Sequence, residues 1–118
     1  MPRSRPDPER RAPARAVLIL AAYPHRRAAE AAARALVRGR LAACATVLPG
    51  ARAFFRWEGS ERAEASVLLL GKTLSSKARA VTAALRASHP DRVPEILIVP
   101  ISGGHAPYLA WLAGEVRR

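Results

Sequence analysis

The sequence predicts a single α+β domain in which two helices pack on one antiparallel sheet. Apolar segments of strand length occupy residues 16–22, 67–70 and 95–101, the last of which opens on a carboxylate. Residues 26–39 and 75–88 instead repeat apolar positions every three to four residues, as amphipathic helices do. With one more strand in the centre of the chain, the order is strand, helix, strand, strand, helix, strand. Right-handed crossovers fold that order into a ferredoxin-like βαββαβ sandwich, which a last helix follows.

The domain is predicted to begin at residue 16. Residues 1–15 contain four prolines and mixed charge. They bury too little apolar surface to offset the entropy of ordering, so we expect a disordered, basic, proline-rich tail. Residues 16–118 form one domain. Its first strand is apolar at every position, as in a strand covered on both faces, and ends at Tyr23-Pro24.

The first helix is predicted over residues 26–39. Arg26, Glu30 and Arg34 recur every four residues and mark its solvent-facing side. Gly39 is expected to end this helix in a left-handed conformation, which glycine adopts without a steric penalty.

Residues 41–73 form one long predicted β-hairpin. Arms at residues 41–57 and 64–73 flank a polar tip at residues 58–62. Pro49-Gly50 interrupts the first arm, since proline cannot donate to a strand ladder. Large apolar side chains lie far out along this arm: Phe54, Phe55 and Trp57. An isolated two-stranded ribbon is marginal in water, so the hairpin is expected to dock on another copy of the chain.

The second half of the chain repeats the strand and helix pattern. Ser75 or Ser76 is expected to cap a helix that runs to about Ser88 and stops before Pro90. The fourth strand follows, and Pro107 opens the short last helix. Strands one, three and four are apolar on both faces, yet two helices cover only one face. The other face therefore predicts self-association.

Composition narrows the function classes. The net charge of +11 comes from arginines scattered along the chain, which favours a solvated basic surface over a specific nucleic-acid site. The single cysteine, Cys44, excludes an internal disulfide and a cysteine-rich zinc site. No apolar run has membrane-spanning length, and no signal-type segment follows the tail, so we expect a cytoplasmic protein without a membrane partner. The absence of Asn and Gln fits a thermostable protein.

Few residues are candidates for metal binding. His89 is the best single ligand candidate, with Asp91 nearby, because imidazole and carboxylate suit borderline divalent ions. The alternative is a histidine at a helix end that hydrogen-bonds a carbonyl or water. Cys44 lies in an apolar strand, where a lone thiol packs as a small hydrophobe; the alternative is a soft-metal site where three copies meet.

Lys72 and Glu95 are charged residues at the edges of apolar strands, where charges are rarely buried without a partner. One interpretation makes them the polar lining of a cleft between subunits, walled by Trp57, Tyr108 and Trp111. The other makes them a structural ion pair that orients the strands.

Catalysis has little support in the sequence. A nucleophile elbow, a P-loop, a dinucleotide-binding glycine motif and histidine-rich metal spacing are all missing. The third strand, which includes VLLLGKT, lacks the aromatic pair that stacks bases in RNA-recognition domains of similar topology. We therefore expect a non-enzymatic protein.

Four segments together resemble the CutA divalent-cation tolerance family. They are LVRGRLAACATVLPGARAFFRWEG, VLLLGKT, HPDRVPEILIVPISGG and YLAWL, in the family's order and spacing. The resemblance implies a tight homotrimer whose hairpins pair between neighbours, and a link to tolerance of copper and other divalent metals. It implies no enzymatic reaction and no obligatory cofactor. The family's copper-binding members carry a cysteine and two adjacent histidines at the positions that are Ala21, Ser88 and His89 here.

Three functional hypotheses follow. The first is a CutA-like homotrimer that acts in divalent metal tolerance through weak or indirect metal binding. The second is a sensor that binds a small molecule or anion in a cleft near Lys72 and Arg92, as the similar trimeric nitrogen-regulatory proteins do, and signals to an unidentified protein partner. The third is unspecific, salt-sensitive binding of nucleic acid by the basic surface.

Overall fold

The structure is a computed structural model that describes residues 15–116. Its strands are β1 (Ala16–Tyr23), β2 (Cys44–Trp57), β3 (Ser60–Leu74) and β4 (Ile96–Pro100), and its helices are α1 (Arg26–Arg38), α2 (Ala78–Ser88) and α3 (Ala106–Val116). The sheet order is β2-β3-β1-β4 with every pair antiparallel. The predicted α+β architecture is confirmed. Apart from Arg15, the predicted tail lies outside the described residues.

The main core lies between the sheet and the first two helices. On β1, side chains alternate between the two faces of the sheet, and Val17, Ile19 and Ala21 are buried on the helix side. Leu36 of α1 and Val81 of α2 are both buried in the same cluster. Much of α1's contribution is alanine, which lets the helix lie close to the sheet.

The opposite side of the sheet, here called the open face, is also apolar. Strand register and side-chain alternation place these residues on it: Leu18, Leu20 and Ala22 of β1, Leu68, Leu70 and Lys72 of β3, Leu97 and Val99 of β4, and Cys44, Thr46 and Leu48 of β2. The leucines of β1 and β3 are half-buried, while Leu48, Leu97 and Val99 are exposed. The expectation that β1 and β3 are apolar on both faces is confirmed.

Helix α3 covers one end of the open face. Leu112 and Val116 are fully buried against Leu74, and Ala16 and Ala43 pack beside them. In the described residues, the buried packing of α3 on the open face is confined to the end that holds Ala16, Ala43 and Leu74.

The first arm of the hairpin begins later than predicted, at Cys44 instead of Leu41, the second arm is longer, and the turn is tighter. Beyond the Tyr23 end of β1, residues 51–66 pair only with each other. The turn is Glu58-Gly59, with φ of 51° and 81°, which fits a two-residue turn whose twist matches that of the strands. The predicted tip at residues 58–62 was too wide, because Ser60 continues the ladder opposite Trp57. The expected break at Pro49-Gly50 is confirmed as a register shift between Leu48 and Ala51.

The end of α1 differs from the prediction by one residue. Gly39 has φ of −82°, and Arg40 is the left-handed residue with φ of 56°. The amide of Leu41 donates to the carbonyl of Leu36 (2.9 Å) and that of Arg40 to Val37 (3.1 Å), the pattern of a Schellman motif. Arg40 also contacts Glu115 of α3 at 3.4 Å, so its side chain links two helices.

The predicted serine cap of α2 is wrong. No side chain caps this helix, which a 3-10 turn at Ser75–Lys77 precedes. Ser75 is engaged elsewhere, because its hydroxyl accepts from the amide of Arg15 at 3.0 Å. The strand after α2 is also shorter than predicted, since Glu95 and Ile101 fall outside β4.

Candidate functional site

His89 lies just after α2, and both of its ring nitrogens are engaged. Nε2 lies 2.7 Å from the carbonyl oxygen of Ala22, and Nδ1 accepts from the amide of Asp91 at 3.0 Å. A carbonyl only accepts, so Nε2 carries the proton and Nδ1 the lone pair. The imidazole side chain has no exposed surface and stacks on Tyr23 with ring centroids 4.2 Å apart. In this arrangement His89 joins the end of α2 to β1 and keeps no free lone pair for a metal.

The two neighbouring positions implied by the family resemblance add no strong ligand. Ala21 is fully buried and carries only a methyl group. The hydroxyl of Ser88 donates to the carbonyl of Ala84 at 3.3 Å. Within residues 15–116, no three His, Cys, Asp or Glu side chains come close enough together to hold a metal ion.

A groove of about 430 Å³ lies between residues 51–66, here called the outer hairpin, and the end of β1. Its lining comprises Ala22, Tyr23, Pro24, Ala53, Phe54, Phe55, Arg56, Trp57, Glu64, Ala65, Ser66, Asp91, Val93 and Glu95. Trp57 and Glu95, both predicted cleft residues, therefore share one groove with Asp91, which was considered as a metal ligand. The backbone of Glu95 also fixes the edge of the sheet, since its carbonyl accepts from the amide of Ala22 at 3.2 Å.

Charge in this groove is predominantly negative. Glu64, Asp91 and Glu95 line it, and Arg56 is the single basic residue in its lining. Arg56 is already paired, at 3.6 Å from the carboxylate of Glu61 and 3.5 Å from the carbonyl of Gly59. The groove thus has an acidic character in a chain whose net charge is +11.

Tyr23 is among the residues that line the groove, and its side chain belongs to the main core. The residue is 2% exposed, and its hydroxyl has no hydrogen-bond partner among the described residues. Burial raises the pKa of this phenol to about 12, because a phenolate would lose its hydration there. An unsatisfied buried hydroxyl is rare in folded proteins and keeps both its donor and acceptor capacity.

Lys72 lies in a different place, on the open face. Its Nζ donates to the hydroxyl of Thr46 at 2.6 Å and lies 3.7 Å from the sulfur of Cys44. Tyr108 of α3 approaches from above, and partial burial together with the Cys44 thiol raises the pKa of its phenol. Trp111 lies beside Tyr108, with ring centroids 5.5 Å apart.

Within one subunit the predicted cleft residues thus fall into two groups. Lys72 pairs with Leu18 in the ladder, whereas Glu95 contacts Ala22, so the two groups are about 13 Å apart along β1 at about 3.3 Å per residue. Lys72 bonds Thr46, and no ion pair joins it to Glu95 in the described residues. The groove beside Tyr23 contains Glu95 and not Lys72.

Arg92 lines a second, shallow groove of about 340 Å³. Arg86, Asp91 and Pro94 are among its other lining residues. Arg92 and Lys72 therefore do not converge within one subunit, as an anion site made of both would require.

Sequence reasoning missed Tyr23 and Glu64 as groove residues. Glu64 lies opposite Ala53 in the hairpin, a pairing that follows from the position of the turn. Once the turn is placed at Glu58-Gly59, counting back along the second arm would have put Glu64 on the same side as Phe55 and Trp57. From the sequence, Tyr23 was interpreted only as the last residue of the first strand.

Fold and site together define a class: small α+β proteins with a four-stranded antiparallel sheet, a projecting hairpin and a groove at its base. The family of the CutA1 divalent ion tolerance protein matches residues 17–115. The CutA protein of Pectobacterium atrosepticum is 41% identical over 102 residues, which cover 86% of this chain and 93% of that protein. The chain belongs to the CutA divalent-cation tolerance family.

Solved structures agree with this assignment. CutA from Xylella fastidiosa superposes with a TM-score of 0.83 at 40% identity, covering 86% of this chain and 97% of that one. The periplasmic divalent cation tolerance protein CutA of Archaeoglobus fulgidus gives a TM-score of 0.82 at 32% identity, covering 86% and 98%. Of the helices in residues 15–116, none has the length and apolar character needed to cross a bilayer.

Proposed function

We propose that this chain works as a homotrimer whose copies cover one another's open faces. The observation that carries the proposal is the amount of apolar surface left uncovered. Eleven large apolar side chains are exposed in the described residues, among them Phe54 at 75% and Leu97 at 52%. Burying one such side chain contributes about 1.5–3 kcal/mol. A few of them offset the roughly 4–15 kcal/mol of freedom lost on association.

A ring of copies follows from the two unlike surfaces of each subunit. The outer hairpin projects from one side of the sheet, and β4 lies as an open edge strand on the other. Contacts between unlike surfaces form a ring when the rotation between copies closes, whereas an isologous dimer requires a surface that pairs with itself. Native mass spectrometry tests the copy number: we expect about 38 kDa, three times the 12.7 kDa of one chain. A spectrum of single chains alone would contradict the proposal.

The biological role proposed for this trimer is divalent metal tolerance, copper included, without catalysis and in the cytoplasm. Family membership supports the metal role. The engaged nitrogens of His89 and the lack of a metal cluster in the described part of the chain support an indirect mechanism. The trimer would then respond to metal stress through a partner or another ligand instead of storing the ion.

Calorimetry with Cu²⁺ and Zn²⁺ on wild type and His89→Ala tests this mechanism. We expect the same weak isotherm from both proteins, because the His89 lone pair is used by the Asp91 amide. His25→Ala is the matched control, since His25 accepts from the amide of Ala28 at 3.3 Å at the start of α1. Circular dichroism must show that each variant is folded. If His89→Ala were the only variant that lost the heat of metal binding, His89 would be a metal ligand.

A second candidate function is a small-molecule sensor, which the groove beside Tyr23 favours. A cavity of about 430 Å³ is of the size that binds metabolites. Thermal-shift screening against nucleotides, carboxylates and amines tests it, with an upward shift expected for at least one class. Unchanged melting temperatures with all three classes of compound would contradict the sensor function.

A further inference from the structure

We propose that the solvent side of α1 and α2, here called the helical surface, binds the phosphate backbone of double-stranded DNA without reading its sequence. The two helices pack against each other on one side of the sheet, and the open face is the other side. The helical surface therefore stays exposed when other copies cover the open face. All of the residues that the inference uses belong to one subunit.

Positive charge is concentrated on these two helices, although the arginines are spread evenly along the sequence. Of the net charge of +7 in residues 15–116, +5 lies on α1 and α2, which carry six arginines and one carboxylate. That carboxylate belongs to Glu30, which already pairs with Arg26 at 3.5 Å. The outer hairpin, by comparison, holds three arginines and three glutamates. The fold thus gathers most of the basic excess of the described residues on one surface.

The arginines of this surface form two rows. Those that are exposed and form no ion pair in residues 15–116 are Arg27, Arg34, Arg38, Arg79 and Arg86. On α1, the first three lie opposite the buried side of the helix and span roughly 16 Å at a rise of about 1.5 Å per residue. Arg79 and Arg86 extend for roughly 10 Å along α2. Because no carboxylate neutralises them, both rows present free guanidinium groups to solvent.

Alanines separate the arginines, so the surface between them is low. Ala31, Ala35, Ala83 and Ala87 are all exposed. Val37 is the only large apolar side chain exposed on these two helices. Helices that lie on a bilayer insert Trp, Phe or Leu side chains into it, and the helical surface has none to insert. It therefore fits a polyanion that is held by charge alone.

The chemistry and density of the charges favour phosphates. All six cations of α1 and α2 are arginines, and the planar guanidinium group bonds two phosphate oxygens at once. A DNA duplex carries one negative charge per about 1.7 Å of its axis. Even a fully acidic extended peptide carries one per about 3.3 Å. A duplex therefore offers each arginine row about twice as many partners as an acidic protein segment does.

Two rows suit B-form DNA better than a single strand. The axes of packed helices lie roughly 8–10 Å apart, and the grooves of B-form DNA are about 6–12 Å wide. Each row can therefore follow a different strand of one duplex. Proteins that hold single strands stack the bases on aromatic rings, and neither α1 nor α2 contains an aromatic residue.

The affinity should be modest and should depend steeply on salt. Each phosphate contact contributes about −0.9 to the slope of log K against log salt concentration, so five arginines predict a slope of roughly −4.5. Non-specific DNA binding typically has a Kd of about 10⁻⁴–10⁻⁶ M at physiological salt. We expect a value in that range, and tighter binding at lower salt.

The test is fluorescence anisotropy of a labelled, random-sequence DNA duplex of about 25 base pairs, titrated with the full chain at several salt concentrations. Arg34→Gln/Arg86→Gln removes one cation from each row, at exposed positions where glutamine is a good helix former. Arg3→Gln/Arg5→Gln is the matched control, because it lowers the net charge equally but lies outside the helices. Circular dichroism and sedimentation show that each variant is folded and assembled.

We expect the helix variant to bind about tenfold more weakly at low salt and to lose about 2 from the salt slope, whereas the control changes by less than about threefold. Equal or greater weakening in the control would assign binding to net charge or to the amino-terminal segment and overturn the helical surface. No change in anisotropy at low salt would overturn DNA binding altogether.

Competing anions test the choice of partner. The unlabelled duplex should displace the labelled one at lower concentration than the same mass of single-stranded DNA, double-stranded RNA or polyglutamate. Vesicles of phosphatidylserine and phosphatidylcholine should displace it least, since the surface lacks apolar anchors. If any of these competitors displaced the probe more effectively than duplex DNA, the assignment of B-form DNA as the partner would be wrong.

Discussion

Polar side chains at the ends of elements mostly satisfy backbone groups. His89 bonds the carbonyl of Ala22 at 2.7 Å, and the hydroxyl of Thr73 donates to the carbonyl of Leu41 at 2.6 Å. Each contact joins segments that are more than 30 residues apart in the chain. Tyr23 is the exception, because its buried hydroxyl contacts no polar atom of the described residues.

Removing that hydroxyl tests its role in stability. Tyr23→Phe should raise the free energy of unfolding at neutral pH by about 1 kcal/mol, because an unsatisfied buried polar group is removed. The folded-state pKa of about 12 lies above the ordinary value of 10.0. Ionisation of this phenol therefore leaves stability unchanged below about pH 10 and lowers it between about pH 10 and 12, where the unfolded chain loses the proton first. Denaturant unfolding at fixed protein concentration measures both effects.

Tyr108→Phe is the control, since its ring is partly exposed on α3. It should change stability at neutral pH much less than Tyr23→Phe does. A loss of stability in Tyr23→Phe at neutral pH would mean that the hydroxyl has a partner in solution.

The left-handed backbone at Arg40 gives a second test. Arg40→Gly should keep or raise stability, because a left-handed conformation costs a non-glycine residue about 1–2 kcal/mol. The exposed Arg40–Glu115 pair that it removes is worth at most about 1 kcal/mol. Arg40→Ala removes the same pair without relieving the backbone and should be the less stable of the two. Thermal melts rank them, and the reverse order would contradict the assignment.

At the scale of elements, the hairpin is the least supported part of the described fold. Residues 51–66 form ladder pairs only within the hairpin itself. Each arm, at about 3.3 Å per residue, is roughly 45 Å long, so much of it extends beyond the sheet. Its two-residue turn therefore fixes the register of the whole outer hairpin.

Glu58 is a poor residue for that turn. A left-handed position favours Asn or Gly, and Glu58 has φ of 51°. Glu58→Asn should stabilise the protein by several tenths of a kcal/mol up to about 1 kcal/mol, whereas Glu58→Gln, which removes the same charge, should not. Melting temperatures of the two variants give the answer. Equal shifts would show that charge, and not the backbone, limits the turn.

The sequence located the helices and strands more reliably than the residues at which they begin and end. Periodicity located both main helices and the hairpin, since a buried face imposes it. Ser75 was misassigned because its partner, Arg15, is 60 residues away. The width of the turn was missed because polar Ser60 and Glu61 look like a loop, although Glu61 pairs with Arg56 across the strands.

The candidate site was only partly predictable for a similar reason. The sequence singled out Trp57, Asp91 and Glu95, because aromatic and charged residues among apolar strands are conspicuous. The two engaged nitrogens of His89 depend on Ala22 and Asp91, and no local pattern reveals the bond to Ala22, which is 67 residues away. The separation of Lys72 from Glu95 required the register of β1 against its two neighbours.

At the scale of the whole molecule, the open face is the feature that indicates assembly with other copies. Two helices cover the side that holds Ile19 and Leu69, and α3 shields only one end of the other. Leu97 and Val99 of the edge strand β4 are left exposed on that face. Isolated exposed leucines are common, but an apolar face that continues across all four strands is typical of an interface.

Sedimentation equilibrium at micromolar concentration tests most directly whether other copies cover the open face. We expect one species of about 38 kDa that persists on dilution, three times the mass of a 12.7 kDa chain. A folded, soluble species of about 12.7 kDa across the same concentrations would contradict the account.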